Sequence, residues 1–161
     1  MQTAYFAGGC FWCMEAIFQR INGVETLVSG YCNGNTTNPT YEEICTGTTG
    51  HAEVLKIVFN ENSISYTELL KVFIEVHDPT SLNQQGGDIG TQYRSAVFYT
   101  DTSQQEAAQK VINEVANAVT EITPLNVFYA AENHHQNYFN DNQNQPYCRL
   151  VIMPKIQKYF K

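Results

Sequence analysis

Short runs of alternating hydrophobic and polar residues recur along the chain and predict β-strands. Alternation places every second side chain on the same face of a strand, which suits a sheet buried on one side. The pattern predicts strands over residues 3–7, 24–31, 53–59 and 96–99, and an edge strand over 128–130.

Other segments carry hydrophobic residues three and four positions apart, which predicts amphipathic helices. The first helix is predicted over residues 11–21 and is closed by Asn22-Gly23. The second begins at a capping box formed by Ser65 and Glu68 and runs to about residue 76. Thr102 and Gln105 suggest another capping box, ahead of a helix that reaches about residue 119, and a short helix is predicted over 133–140.

Two long segments rich in Gly, Asn, Gln and Thr, over residues 32–52 and 80–93, interrupt this order and are predicted as loops. The order of elements is β-α-β-β-α-β, followed by an extra helix and a tail over about 141–161. This order predicts an α+β two-layer sandwich with a ferredoxin-like (split βαβ) core, long functional loops and an extended C-terminal tail. We expect residues 1–161 to form a single catalytic domain.

Composition narrows the class of protein. Of the 161 residues, 43% are hydrophobic and 16% are charged, which is typical of a globular domain, and the formal net charge is -7. A chain with net negative charge does not favour nucleic acid as a partner, since a nucleic-acid-binding surface needs clustered Lys and Arg. The N-terminus has no leader pattern and no apolar run is long enough for a membrane span. We therefore expect a cytoplasmic monomer with no membrane partner.

Cysteine chemistry is indicated at the start of the first predicted helix. The chain has five cysteines, an odd number that fits poorly with a secreted disulfide framework. Cys10 follows a strand and Gly8-Gly9 and stands where a helix begins. Because a helix N-terminus favours negative charge, the pKa of Cys10 is expected to be lowered and its thiolate to act as a nucleophile. Cys13 completes a C-x-x-C pair typical of thiol redox chemistry.

Alternatives to a redox enzyme remain open at this point. In the simplest alternative, the two cysteines pack as small buried hydrophobic residues. A zinc-binding or redox-sensing regulatory module is another, and its zinc site would need two further ligands such as His134 and His135. A general disulfide oxidoreductase is a third, although it leaves the two long loops unexplained.

Four sequence blocks together resemble the A-type methionine sulfoxide reductases. The first is Gly9-Cys10-Phe11-Trp12, and in order the blocks tie together most of residues 3–148. The other three are Asn38-Pro39-Thr40-Tyr41-Glu42-Glu43-Ile44-Cys45 with Gly47 and Gly50-His51-Ala52-Glu53-Val54, then Gly87-Asp88-Ile89-Gly90-Thr91-Gln92-Tyr93-Arg94-Ser95, and then Ala131-Glu132-Asn133 with His135-Gln136 and Tyr138.

The resemblance implies roles for individual residues. Cys10 matches the family's nucleophile, and Glu53 matches the acidic residue that faces the sulfoxide oxygen. On position alone, Glu53 at the start of a strand would be a solvated surface carboxylate. The remaining roles are an apolar wall for the substrate methyl group (Phe11 and Trp12), hydroxyls that bind the oxygen (Tyr41 and Tyr93) and a carboxylate that helps position the site (Asp88).

The implied reaction suits these residue types. A thiolate attacks the sulfoxide sulfur while a carboxyl group kept neutral by an apolar pocket protonates the oxygen. Cys10 becomes a sulfenic acid, a second thiol converts it to a disulfide, and an external dithiol such as thioredoxin reduces that disulfide. No bound cofactor is expected. The resemblance implies the S epimer of methionine sulfoxide, free or in oxidised proteins and peptides, as the substrate of a repair enzyme.

The resolving cysteine is the point at which the chain departs from the family pattern. Cys13 stands where glycine is common, and the tail carries Cys148 with few glycines around it. Cys148 matches a tail resolver in position, whereas a Cys10–Cys13 bridge across a helical turn would be strained. The sequence therefore slightly favours Cys148 over Cys13. Direct reduction of the sulfenic acid by an external thiol is a third route.

Overall fold

A six-stranded sheet positions the active-site elements. The structure is a computed structural model that describes residues 1–160. The strands follow the order β7-β6-β1-β3-β2-β8, and all neighbours are antiparallel except β6 and β7. A separate two-stranded hairpin is formed by β4 and β5. The strands are β1 Gln2–Ala7, β2 Val24–Cys32, β3 Ala52–Phe59, β4 Gln84–Gln85, β5 Asp88–Ile89, β6 Ala96–Tyr99, β7 Glu121–Pro124 and β8 Phe128–Ala130.

Six helices accompany the sheet. They are α1 Phe11–Phe18, α2 Tyr41–Cys45, α3 Tyr66–Val76, α4 Thr102–Asn113, α5 Tyr138–Asp141 and α6 Met153–Tyr159. A π-helical turn, Cys148–Ile152, leads directly into α6. Within residues 1–160, every helix is too short or too polar to span a membrane.

The main core lies between one face of the sheet and helices α1, α3 and α4. Alternate residues of β1 and β3 supply the sheet side, because period-two alternation turns them to the same face. In the register, Phe6 of β1 lies opposite Leu55 of β3. The buried members are Ala4, Phe6, Met14, Phe18, Leu55, Ile57, Phe59, Ile64, Leu69, Leu70, Phe73, Val97, Ala108 and Val111.

The predicted strands and the first two main helices are confirmed in type. The mixed α/β composition is confirmed as well, and the capping box of α3 forms between Ser65 and Glu68. The sheet has six strands because β7, which the sequence did not predict, pairs with β6 in parallel. Helix α1 ends at Phe18, earlier than the predicted residue 21.

The two segments predicted as loops contain short regular elements. In the first, Thr40 and Glu43 form a capping box and open α2, so the prediction of an irregular loop is wrong there. In the second, β4 and β5 pair around Gly86 and Gly87. Of the predicted site residues, Tyr41 lies in α2, Asp88 lies in β5, and Tyr93 lies in the 3-10 turn Thr91–Tyr93 that follows β5.

The prediction for α4 is wrong at both ends. The N-cap is Asp101, whose side chain accepts from the backbone N–H of Gln104, and the predicted capping box does not form. The helix ends at Asn113, and Val119 is 40% exposed rather than buried on a helix face. The backbone N–H of Val119 donates instead to the carbonyl of Pro79, which leads the chain into β7.

The C-terminal tail is helical rather than extended, which corrects the prediction. Its buried residues, Cys148 and Ile152, pack against Cys13 and Ala16 of α1. The helix predicted over 133–140 is broken, because Asn137 has a left-handed φ of 56° between a 3-10 turn and α5. Lys161, the last residue of the predicted tail, lies outside the described residues.

Candidate active site

Cys10 lies between the end of β1 and the start of α1, where the chain turns sharply. Gly9 has a φ of 85°, in the left-handed region that favours glycine, and a Cβ there would lie 2.9 Å from Gln85. The backbone N–H of Gly9 donates to the carbonyl of Tyr93 at 3.3 Å. Cys10 itself is the N-cap of α1 with extended dihedrals, φ −66° and ψ 126°. These contacts hold its side chain at the helix N-terminus, as the sequence predicts.

The pKa of Cys10 shifts opposite to the prediction. Burial raises it well above its ordinary value, and the nearby Cys13 and Glu53 raise it further. The backbone N–H of Trp12 lowers it, but this contribution is the smallest. Cys10 is only 8% exposed, so the loss of hydration outweighs the helix N-terminus. The neighbouring Cys10 thiol lowers the pKa of Cys13, so Cys13 is the sulfur of the pair that carries negative charge more readily.

Glu53 is a buried carboxyl group rather than a surface one. It is 2% exposed, and its Oε1 accepts from the backbone N–H of Phe11 at 3.1 Å. Its Oε2 is buried without a hydrogen-bond partner. Burial is the main cause that raises the pKa of Glu53 to about 8, with Asp88 and Cys13 contributing. At neutral pH the carboxyl group is therefore largely protonated, and it can donate that proton into the site.

An aromatic wall forms next to Cys10. The ring of Trp12 stacks on Tyr138 with centroids 3.8 Å apart, and its Nε1 donates to His135 Nδ1 at 3.2 Å. The ring of Tyr41 lies 6.0 Å from Trp12 and 6.5 Å from Phe11. Trp12 and Tyr41 thus belong to one aromatic cluster with Phe11 and Tyr138, and its faces offer apolar contacts to a small group.

Two tyrosine hydroxyls and a carboxylate complete the predicted site. Burial, followed by the charge of Glu53, raises the pKa of both Tyr41 and Tyr93, so their hydroxyls stay protonated. Asp88 accepts a hydrogen bond from the hydroxyl of Tyr147 at 2.7 Å, and its charge acts on both Glu53 and Tyr93. The structure therefore brings Cys10, Glu53, Tyr41, Tyr93 and Asp88 together with Phe11 and Trp12.

Several supporting residues were not singled out from the sequence. Glu15 is 3% exposed and accepts from the backbone N–H groups of Asn137 and Tyr138, which fixes the tyrosine stacked on Trp12. Glu132 accepts from the backbone N–H of Tyr41 and from the hydroxyl of Tyr31. The sequence signal for two of these residues was their place in the fourth family block, Ala131-Glu132-Asn133 and Tyr138.

The other cysteines differ in surroundings. Cys13 is 4% exposed, and the Cys10 hydrogen bond is the main cause that lowers its pKa to about 7. Cys148 is fully buried in the same hydrophobic cluster as Cys10 and Cys13. Cys32 is buried in the sheet, whereas Cys45 is exposed and lies near Tyr41, which lowers the pKa of its thiol less than burial raises it. Within residues 1–160, metal-binding side chains do not gather in groups of three or more.

Comparison with known proteins gives consistent matches. The family model described as "Peptide methionine sulfoxide reductase" matches residues 2–161. A peptide methionine sulfoxide reductase MsrA from Ruthia magnifica is 62% identical over 161 residues, covering 99% of each chain. The reduced form of Mxr1 from Saccharomyces cerevisiae is 33% identical with a TM-score of 0.87, covering 91% of this chain and 88% of that one. Methionine sulfoxide reductase A of Corynebacterium diphtheriae is 35% identical with a TM-score of 0.81, covering 88% and 74%.

Proposed function

The chain belongs to the peptide methionine sulfoxide reductase family and is an oxidoreductase that reduces methionine sulfoxide to methionine, and from this premise we propose that Cys10 attacks the sulfoxide sulfur while Glu53 protonates its oxygen. One observation carries the proposal. A carboxyl group that burial keeps protonated, with Oε2 unpartnered, lies beside a cysteine at a helix N-terminus. A sulfoxide needs both groups, because its oxygen leaves only when it is protonated.

In the first step the oxygen moves from the substrate to the enzyme. Cys10 loses its proton to solvent and attacks as the thiolate. A bond forms between Cys10 Sγ and the sulfoxide sulfur while Glu53 protonates the oxygen, and the S–O bond of the substrate then breaks. The oxygen, as hydroxide, bonds to Cys10 Sγ, and the S–S bond breaks with its electron pair leaving on the methionine sulfur. The products are methionine, which gains two electrons, and the sulfenic acid of Cys10. The hydroxyls of Tyr41 and Tyr93 stabilise charge that develops on the oxygen.

The pocket supports a preference for the substrate's methyl group and for one configuration at sulfur. Phe11 and Trp12 form the apolar wall, and Glu53 with the two tyrosines defines the side on which the oxygen binds. Fixing both substituents leaves one place for the rest of the methionine chain. We propose the S epimer, free or in oxidised proteins and peptides, so that the enzyme serves oxidative-damage repair.

We propose that Cys13 resolves the sulfenic acid, although the sequence slightly favoured Cys148. The geometry weakens the objection of strain, since Cys10 has extended N-cap dihedrals and the pair straddles the helix start rather than a full helical turn. Cys10 and Cys13 are also close enough for each sulfur to shift the pKa of the other, whereas the main groups that shift the pKa of Cys10 do not include Cys148. Attack by Cys13 forms the disulfide, and the oxygen of the sulfenic acid leaves as water.

Replacing Cys13 with serine is expected to stop catalytic recycling by a dithiol while leaving one methionine per enzyme molecule. The first step needs only Cys10 and the acid, so a single turnover persists, whereas the sulfenic acid then accumulates. The measurement is methionine released per active site, together with mass spectrometry of the oxidised enzyme. Cys148→Ser is the matched control and should still form the Cys10–Cys13 bridge. A bridge to Cys148 in the wild type would contradict this assignment.

The recycling reductant is proposed to be an external dithiol such as thioredoxin. A dithiol can form a mixed disulfide with the enzyme and then release itself by attack of its second thiol. We also propose that residues 1–161 act as one catalytic domain, since site residues come from both the N-terminal and the C-terminal elements. A split βαβ core is inferred because β1 and β2, which α1 connects, flank β3 and both pair with it antiparallel.

A further inference from the structure

Helix α6 brings a lysine to the second cysteine of the C-x-x-C pair. Lys155 Nζ lies 3.8 Å from Cys13 Sγ, within donor distance of the sulfur. An ammonium group can only donate hydrogen bonds, so this contact favours a sulfur that carries negative charge. We propose that Lys155 is a positioning residue that holds Cys13 as a thiolate for disulfide formation and recycling, an inference that rests on the resolving role proposed above for Cys13.

The groups that face Cys13 make this lysine the decisive charge. The Cys10 thiol, as the largest cause, Lys155 and the hydroxyl of Tyr147 lower the pKa of Cys13, whereas burial and Asp88 raise it. Lys155 is the positively charged member of the set. The set comprises Cys10 at the start of α1, Glu53 of β3, Asp88 of β5, Tyr147 and Cys148 of the tail, and Lys155 of α6.

The hydroxyl of Tyr147 lowers the pKa of Cys13 less than Lys155 does. Its oxygen lies 3.6 Å from Cys13 Sγ, but its single proton is donated to Asp88 at 2.7 Å. Once Cys10 carries the transferred oxygen, its S–H is no longer present as a donor to Cys13. Lys155 is then the cation that still contacts the sulfur in the state in which Cys13 must react.

The lysine acts in two successive steps. In the first, the Cys13 thiolate attacks the sulfenic sulfur of Cys10, the S–S bond forms, the S–O bond breaks, and the departing hydroxide takes up a proton as water. In the second, a thiolate of the external dithiol attacks Cys10 Sγ, and Cys13 leaves with the electron pair of the S–S bond. The second thiol of the reductant then displaces Cys10 from the mixed disulfide. A thiol of lower pKa leaves faster, so Lys155 favours this direction of cleavage.

A neighbouring residue provides a matched control. Lys155 and Lys158 line the same cavity of 630 Å³, together with the end of α3 and residues next to the β4–β5 turn. Lys158 is exposed, and the groups that shift the pKa of Cys13 include Lys155 but not Lys158. Replacing either lysine removes one positive charge from the same helix and the same cavity.

The test compares Lys155→Met, Lys155→Arg and Lys158→Met with the wild type. The reduced enzyme is mixed with a methionine sulfoxide peptide and quenched with a carbon nucleophile that traps sulfenic acid, at a series of pH values. Mass spectrometry gives the rate at which the sulfenic acid becomes the Cys10–Cys13 disulfide. In Lys155→Met we expect this rate to fall about tenfold at pH 7, because Cys13 loses the cation that contacts its sulfur and its thiolate fraction falls.

The pH profile separates a charge role from a structural one. We expect the rise of the disulfide-forming rate to move to higher pH in Lys155→Met, and to stay near the wild-type position in Lys155→Arg and Lys158→Met. The amplitude of methionine release counts folded sites in every variant. A Lys155→Met profile that coincides with the wild type would overturn the role of Lys155. If the Cys13→Ser variant still formed a disulfide at Cys10 at the wild-type rate, the resolving role of Cys13 would be wrong instead.

Discussion

Replacing Cys10 with serine is expected to reduce methionine formation by about 10⁴-fold or more, because no other group in the site can form the bond to sulfoxide sulfur. A hydroxyl at this position is a far weaker nucleophile and cannot accept the oxygen as a sulfenic acid. The measurement is single-turnover release of methionine from a blocked sulfoxide, with dithiothreitol present. This loss should include the first turnover, unlike that of Cys13→Ser.

The control for Cys10→Ser is another cysteine outside the mechanism. Cys45 is exposed, and serine replaces its thiol with a hydroxyl of similar size. Cys45→Ser should therefore react at a rate within about twofold of the wild type. Substantial methionine release by Cys10→Ser in the first turnover would mean that another thiol carries the reaction.

Replacing Glu53 with glutamine is expected to slow the first turnover by about 10²- to 10³-fold. The amide can keep the bond from the Phe11 N–H, but it has no acidic proton to give to the sulfoxide oxygen. Glu25→Gln, on an exposed part of β2, is the matched control and should leave the rate unchanged. A Glu53→Gln enzyme that reduces sulfoxide at the wild-type rate would remove Glu53 from the mechanism.

The pH dependence of the same step reports the protonation of Glu53. The reactive form has this carboxyl group protonated, and its pKa is raised to about 8. The wild-type rate should therefore fall as the pH rises through about 8, and this falling limb should disappear in Glu53→Gln. A falling limb that persists in the variant would assign it to another group.

The Glu53→Gln variant should gain folding stability although it loses activity. The pKa of Glu53 is raised from 4.5 to about 8 on folding, so the folded chain binds a proton that the unfolded chain has lost between those values. Glu53 therefore lowers the stability of the folded chain, and this unfavourable contribution grows as the pH rises from 4.5 to about 8. Glu53→Gln should raise the free energy of unfolding by on the order of 3 kcal/mol at pH 7. Denaturant unfolding would separate this gain from a loss of activity by misfolding.

The position of Cys10 could be predicted from the sequence because its determinants are local. A strand, Gly8-Gly9 and a helical pattern follow one another, and glycine suits the left-handed φ that Gly9 adopts. The direction of its pKa shift could not be predicted in the same way. That shift depends on burial under the π-helical turn at Cys148, which lies far along the chain.

The polar C-terminal region shows where local patterns were misleading. The tail was predicted as extended, and this hid both the packing of Cys148 and the approach of Lys155 to Cys13. By contrast, the capping box at Thr40 and Glu43 was readable from the sequence, although it lies inside a segment whose composition indicates a loop. Long-range contacts, such as that of Asp88 with Tyr147, carry no local signal at all.

The central claim is that Cys10 takes the oxygen from one epimer of methionine sulfoxide. The most direct test is single-turnover reduction of the separated S and R epimers of a blocked methionine sulfoxide, followed by mass spectrometry of the enzyme's cysteines. The account predicts one methionine per enzyme from the S epimer, none from the R epimer, and oxidation at Cys10 bridged to Cys13. Reduction of the R epimer, or oxidation that leaves Cys10 untouched, would contradict it.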